Sequence, residues 1–267
     1  MPIPRHETRT VTEHPTTSTV PSNLETELDA HPPFRVPFFE IGPKNILRRP
    51  ELHKLLAAAQ LHGRQYGVSL IATLPVTEIE PASLLFPDIH LFAQHMDPDM
   101  PGRSVGRIIA EALADAGADG IMLNHADHPM RLDDVAAAVE RAKANRLMTL
   151  VCAADEPDAA AISALSPDIL LYEPRAMIGH GGGARRPWIP RINGLVRAIE
   201  PRTLIMHAGG VATPEDARDV IRAGAVGTGA TSAIVKASDR SEIIEGFLSA
   251  IRDAWNGTSN IHESEAV

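Results

Sequence analysis

Eight short apolar runs, each parted from the next by a stretch with helical spacing, constrain this chain more than any other feature. The runs are Val36–Ile41, Ser69–Thr73, His90–Gln94, Gly120–Asn124, Met148–Ala153, Asp168–Tyr172, Thr203–His207 and a short one near Val226–Gly229. They are near-continuous rather than alternating, as strands are when a parallel sheet is covered on both faces. Helical patterns fill the gaps: Glu51–Tyr66, with Leu52, Leu55, Leu56 and Ala59 at helix spacing, then Gly106–Ala116, Leu132–Asn145, Glu156–Leu165, Arg191–Ile199, Pro214–Ala223 and Ser241–Trp255. Thr213 precedes Pro214 as an N-cap before a first-turn proline, and Gly117 and Gly224 stand where helices should stop. Only the gap from Thr73 to His90 is poor in pattern, because Pro75, Pro81 and Pro87 leave room for no more than a short helix. Eight βα units predict an α/β fold of the (β/α)8 type, a parallel eight-stranded barrel with outer helices. A doubly wound open sheet is the runner-up, although no Gly-x-Gly-x-x-Gly follows the first run.

Composition narrows what such a fold would do. The chain has 267 residues, 44% hydrophobic and 22% charged, enough for one domain with a sizeable core. With only 4% aromatic residues, that core is built mainly from Ala, Val, Ile and Leu. A formal net charge of -9 with scattered lysines and arginines argues against non-specific nucleic-acid binding. No apolar run approaches the roughly 20 residues that cross a membrane. The single cysteine, Cys152, cannot form an internal disulfide and reads as buried strand packing rather than a nucleophile, which makes a reducing cytoplasm the expected compartment. Residues 1–33 lack a hydrophobic region and are expected to be a disordered tail rather than a secretory signal, residues 34–255 the barrel domain, and residues 256–267 a polar, frayed tail.

Chemistry collects at three strand ends. Glu173 follows Ile169-Leu170-Leu171-Tyr172 and leads into the proline-started, glycine-ended segment Pro174–Gly181. Lys44 follows Phe38-Phe39-Glu40-Ile41-Gly42-Pro43, and His125 follows Gly120-Ile121-Met122-Leu123-Asn124. A solvated glutamate in a turn would explain the first by itself. An acid, a cation and an imidazole at three strand ends instead describe proton transfer on a carbonyl compound.

These segments resemble the triosephosphate isomerase family, especially its short archaeal-type form, from about Phe38 to Ala237. The resemblance is carried by Ala93-Gln94-His95-Met96-Asp97-Pro98, Leu123-Asn124-His125, Thr149-Leu150-Val151-Cys152-Ala153, Glu173-Pro174 with Ile178-Gly179-His180-Gly181, and Val235-Lys236-Ala237 after Gly224-Ala225-Val226-Gly227. It implies a TIM barrel and a cofactor-independent aldose-ketose isomerase that interconverts dihydroxyacetone phosphate and glyceraldehyde 3-phosphate through an enediolate, with no metal. By the same resemblance Glu173 is the base, His125 the electrophile and Lys44 the cation, supported by Asp127. The pairing of a glutamate base with a neutral histidine is likewise what the resemblance to triosephosphate isomerases implies. Gly179, Gly181, Gly209, Gly210, Ser232 and Ala233 match the family's phosphate cradle, where missing side chains let amides approach an oxyanion. The short forms assemble as homodimers or homotetramers, and Pro98–Gly106 matches the intersubunit loop.

The departures fall near the reacting end. Gly42 replaces the usual Asn two residues before the lysine, Ala126-Asp127 replace Ser-Glu, and Gly179-His180-Gly181 is followed by Gly182, Gly183, Ala184, Arg185 and Arg186. Loss of small polar groups enlarges or reshapes the pocket, while His180, Arg185 and Arg186 offer contacts to extra oxygens. A tetrulose phosphate is therefore an alternative substrate, and a non-catalytic sugar-phosphate-binding barrel an alternative function. A Schiff base on Lys44 is disfavoured by its strand-one position. His90, His95 and Asp97 do not form a metal set, since His90 and His95 fall on opposite strand faces. His128-Pro129 reads as loop surface, His207 as either packed or a substrate contact, and Trp188 and Trp255 as packing anchors.

Overall fold

The computed structural model describes residues 34–177, Gly183 and residues 186–264; the tail at 1–33 and the lid positions Gly179, His180, Gly181 and Arg185 lie outside the described residues. Eight strands form one closed barrel in sequence order: β1 (Phe38–Ile41), β2 (Ser69–Leu74), β3 (Ile89–Ala93), β4 (Gly120–Leu123), β5 (Met148–Ala153), β6 (Ile169–Tyr172), β7 (Leu204–His207) and β8 (Gly227–Ala230). Every neighbour pair is parallel, including β1 with β8, where Phe38 stands opposite Gly227 and Glu40 opposite Gly229. The helices are α1 (Arg49–Tyr66), α2 (Val76–Leu85), α3 (Ala110–Asp115), α4 (Leu132–Ala144), α5 (Glu156–Ser163), α6 (Ile189–Ile199), α7 (Pro214–Arg222), α8 (Ser232–Val235) and α9 (Arg240–Ser264).

Strand alternation splits the apolar residues into two cores. Phe38, Ile71, Phe92, Met122, Leu150, Ile169, Leu171 and Met206 fill the barrel interior. Phe39 and Ile41 face outward into the larger layer beneath the helices, where the Phe39 ring stacks on Phe247 of α9 with centroids 5.2 Å apart. A Cβ on Gly227 would overlap the Phe38 ring, and one on Gly120 would sit 2.7 Å from Phe92 Cζ. The two phenylalanine rings that the strands send into the interior therefore each lie where the neighbouring strand carries a glycine. Cys152 lies in the interior, where burial pushes its thiol well above the ordinary range and suits it to packing.

Helices α3 and α9 differ in their bounds from the sequence reading, the four-residue α8 was not expected, and a short α2 fills the proline-rich gap. Helix α2 spans ten residues with Pro81 inside it. Pro81 cannot donate to the Thr77 carbonyl one turn back, and Arg49 Nη2 donates to that carbonyl instead at 3.2 Å. Helix α3 starts at Ala110 rather than Gly106 because Asp97 hooks the preceding chain: its amide donates to the Ile108 carbonyl and its carboxylate accepts from the Ile108 amide, both at 2.8 Å. Helix α9 runs through Asn256 and Gly257 to Ser264, past the expected boundary at Trp255. Once nucleated on the packed face of Ile244, Phe247, Leu248 and Ile251, the helix extends by one backbone hydrogen bond per added residue. Thr213 caps α7 as expected, within a reciprocal capping box formed with Asp216.

Candidate active site

The loops that follow the strands converge on a cleft of about 820 Å³ at the carboxyl-terminal mouth of the barrel, and Lys44, His125 and Glu173 all line it. Lys44 leaves β1 in a left-handed conformation, φ 50°, and its Nζ donates to Asp127 Oδ2 at 2.7 Å. His125 follows Asn124, which clamps this loop by donating to the Cys152 carbonyl at 3.0 Å and accepting from the Met130 amide at 3.0 Å. The imidazole Nδ1 accepts the Asp127 N–H at 2.9 Å, which leaves the ring proton of a neutral His125 on Nε2. Burial, reinforced by the Lys44 charge, lowers the His125 pKa and keeps that ring neutral.

Glu173 extends β6 by donating its amide to the Ala153 carbonyl at 3.0 Å. Burial raises its carboxyl pKa, opposed by Lys44, so the group is a stronger base than a solvated glutamate. Its side chain rests against Gly209, where a Cβ would meet Glu173 Cγ at 3.1 Å and Met177 Cβ at 3.0 Å, and where φ is 87°. Only glycine suits both the crowding and that conformation.

Gly209 and Gly210 enter the same cleft after β7, and Ser232 and Ala233 open α8 after β8 with first-turn amides that no intrahelical carbonyl takes up. The two glycines are anchored from behind. Buried Arg186 donates through Nη2 to the carbonyls of Gly209 at 3.3 Å and Gly210 at 2.9 Å, while its Nη1 lies 3.6 Å from Asp216 Oδ1. Asp216 also accepts from the amides of Gly183, Ala212 and Thr213 and from the Thr213 hydroxyl, which together hold its carboxyl pKa low against burial. Arg186, expected to meet substrate oxygens, therefore points into the protein and fixes the loop that would meet them.

Other histidines find their places. His207 is fully buried and its Nε2 donates to Asn193 Oδ1 at 2.9 Å, which makes it a packing group. His95 lines the cleft and stacks on exposed His128 with centroids 4.0 Å apart. His90 packs against Phe34, ring centroids 5.1 Å apart, and Asp97 is held by Arg107 and the Ile108 amide. One cleft residue escaped the sequence reading: Glu40, on β1, is 6% exposed and accepts the Thr73 hydroxyl at 2.7 Å. Its signal was a lone charge at an inward position of an apolar run. A Cβ at Gly42 would come 2.7 Å from Glu40 Oε1, so the room expected from losing a side chain at 42 is filled by this carboxyl.

A family model described as "Triosephosphate isomerase" matches residues 44–247. The triosephosphate isomerase of Caldivirga maquilingensis is 35% identical over 189 residues, covering 70% of this chain and 84% of the relative. That of Methanoculleus marisnigri is 31% identical over 202 residues, covering 74% and 90%. A crystal structure of triosephosphate isomerase from Bartonella henselae superposes with a TM-score of 0.66 at 17% identity, over 82% of this chain and all of that one, a likeness of fold.

Proposed function

The chain belongs to the triosephosphate isomerase family, and from that premise we propose that the barrel mouth is an active site in which Glu173, His125 and Lys44 isomerise a small sugar phosphate. The enzyme interconverts dihydroxyacetone phosphate and glyceraldehyde 3-phosphate. The observation that carries this reading is the meeting of a half-buried carboxylate, a neutral imidazole with its proton on Nε2, and an ammonium group around one cleft that Gly209 and Gly210 also line.

Glu173 removes a proton from the carbon bearing the ketose hydroxyl, while His125 Nε2–H donates a hydrogen bond to the carbonyl oxygen. The resulting enediolate carries negative charge that His125 and Lys44 offset. The hydroxyl proton passes from the first oxygen to the second by way of His125 Nε2, and Glu173 returns the carbon-bound proton to the neighbouring carbon, completing the isomerisation without loss or gain of atoms. Asp127 serves both partners, its carboxylate holding Lys44 and its amide fixing the His125 tautomer. The phosphate lies against the amides of Gly209, Gly210, Ser232 and Ala233, with Gly179 and Gly181 completing the cradle. Glu40's occupation of the space beside Gly42 favours the three-carbon substrate over a tetrulose phosphate.

The catalytic domain begins near residue 34 and includes all of α9, and the protein works in the cytoplasm as a homodimer or homotetramer. In support, no helix among the described residues is long and apolar enough to cross a membrane, and the Pro98–Gly106 loop exposes Met100 and Val105.

Incubation with dihydroxyacetone phosphate and, separately, tetrulose phosphates, with the aldose read by NMR, tests the substrate. Glu173→Gln is expected to lower kcat by about 10²–10⁴-fold while binding of glycerol 3-phosphate persists. An active Glu173→Gln enzyme would sink the base assignment.

A further inference from the structure

Glu40 has no role in the mechanism above, yet it is the most enclosed acid of the cleft. It points inward from β1 between two glycines: a Cβ at Gly42 would approach its Oε1 at 2.7 Å, and one at Gly229 its Oε2 at 2.7 Å. Thr73 donates to Oε1, no hydrogen bond to Oε2 is found among the described residues, and the Glu40 side chain lines the cleft. Lys44, four residues on, is engaged by Asp127 instead. A buried carboxylate with one hydrogen bond and no bonded cation is costly, so such a group holds its proton.

We propose that Glu40 is a further catalytic residue of this active site, a substrate contact that donates a hydrogen bond from Oε2–H to the oxygens on the reacting carbons. The inference rests on the isomerase reading of the same cleft. The carboxyl occupies space that a side chain at 42 would take and reaches the substrate from the floor of the barrel. Glu40 keeps its proton throughout; the proton that moves between carbons belongs to Glu173. Charge arranged in this way favours the donor form, because Glu173 must be anionic to act as base and a phosphorylated substrate adds further negative charge.

The surroundings agree. Burial raises the Glu40 pKa to about 7, with Glu173 adding to the rise and Thr73 and Lys44 opposing it. The ionisable groups facing it are Lys44 at the end of its own strand, Glu173 from β6 and Cys152 from β5; β2 presents Thr73, β7 Met206 and β8 Gly229. In the free enzyme the donor is therefore lost as pH rises through about 7.

Steady-state kcat and KM for dihydroxyacetone phosphate, followed from pH 5.5 to pH 9 in the full chain and in Glu40→Gln and Glu40→Leu, test the proposal; melting temperatures monitor the fold. Leucine removes the donor and is expected to cost about 10- to 100-fold in kcat/KM at pH 6, mostly in kcat. Glutamine retains an N–H donor and an acceptor for Thr73, so it should stay within about threefold of wild type and lose the alkaline fall in kcat/KM. Wild-type turnover by Glu40→Leu, or an unchanged alkaline fall in Glu40→Gln, overturns the proposal while leaving the isomerase reading intact. A wild-type protein that does not turn over triose or tetrulose phosphates overturns both.

Discussion

Arg186→Met isolates the support behind the phosphate cradle. Methionine keeps an unbranched apolar stem of similar reach and removes the guanidinium, whose side chain is 4% exposed. Two hydrogen bonds from a charged donor to the Gly209 and Gly210 carbonyls disappear, at 3.3 and 2.9 Å, and the longer contributes less. Hydrogen bonds to charged groups are worth about 1.5–3 kcal/mol each, part of which is returned because the guanidinium need no longer be desolvated. Asp216 loses its cation but keeps three amides and a hydroxyl, so it avoids the full cost of an orphaned buried charge. The net loss is about 2–3 kcal/mol, or a fall in melting temperature of about 5–10 °C for a barrel of this size. Because the same carbonyls belong to the peptide groups that orient the cradle, binding of glycerol 3-phosphate should weaken about tenfold. Thermal denaturation followed by circular dichroism and titration calorimetry at neutral pH supply the two readings. A melting temperature within about 1 °C of wild type would refute the energetic argument. A lower melting temperature with unchanged binding would refute the link between Arg186 and the cradle.

Two further outcomes concern the frame. Burial lowers the His207 pKa to about 3, and the unfolded chain takes up the proton near 6.5, so the stability tied to its neutral form is complete above pH 6.5 and is lost as pH falls towards 3, at up to about 1.4 kcal/mol per unit. His207→Gln keeps a donor for Asn193 and should show a shallower loss in urea midpoints between pH 6.5 and 4; equal slopes would refute this account. Gly227→Ala drives a methyl group into the buried Phe38 ring and should destabilise the barrel by about 1–3 kcal/mol, with Phe38→Leu in the same chain recovering part of the loss. Simple addition of the two single effects in urea titrations would show that the pair does not share one volume.

The strands were legible because both of their faces are buried, which leaves near-continuous apolar runs, and their shortness and regular alternation with amphipathic stretches set them apart from buried helices. Lys44, His125 and Glu173 were legible for a related reason, since each stands where such a run stops and the barrel opens. What escaped depended on distant partners. Pro81 reads as a helix breaker until Arg49 takes the carbonyl it frees, and Gly106–Ile109 reads as helix until Asp97 claims the Ile108 backbone. Arg186 reads as a group for substrate because nothing local announces the Gly209 and Gly210 carbonyls or Asp216. Glu40 was hidden by its own run, where one charge among apolar neighbours carries no sign of the two glycines and the threonine that enclose it.

The pairing of β1 with β8 sets an order of events for a ribosome making this protein. Phe38–Ile41 leaves the exit tunnel early, yet one of its edges has no partner until Gly227–Ala230 follows, and α1 waits longer still for the face of α9. Until then each nascent chain carries two open rows of amides and carbonyls, templates on which a neighbouring chain on the same message can add a strand. Barrel closure therefore waits until β8 has been made, and interruption before residue 227 leaves fragments more prone to associate with one another than to persist alone.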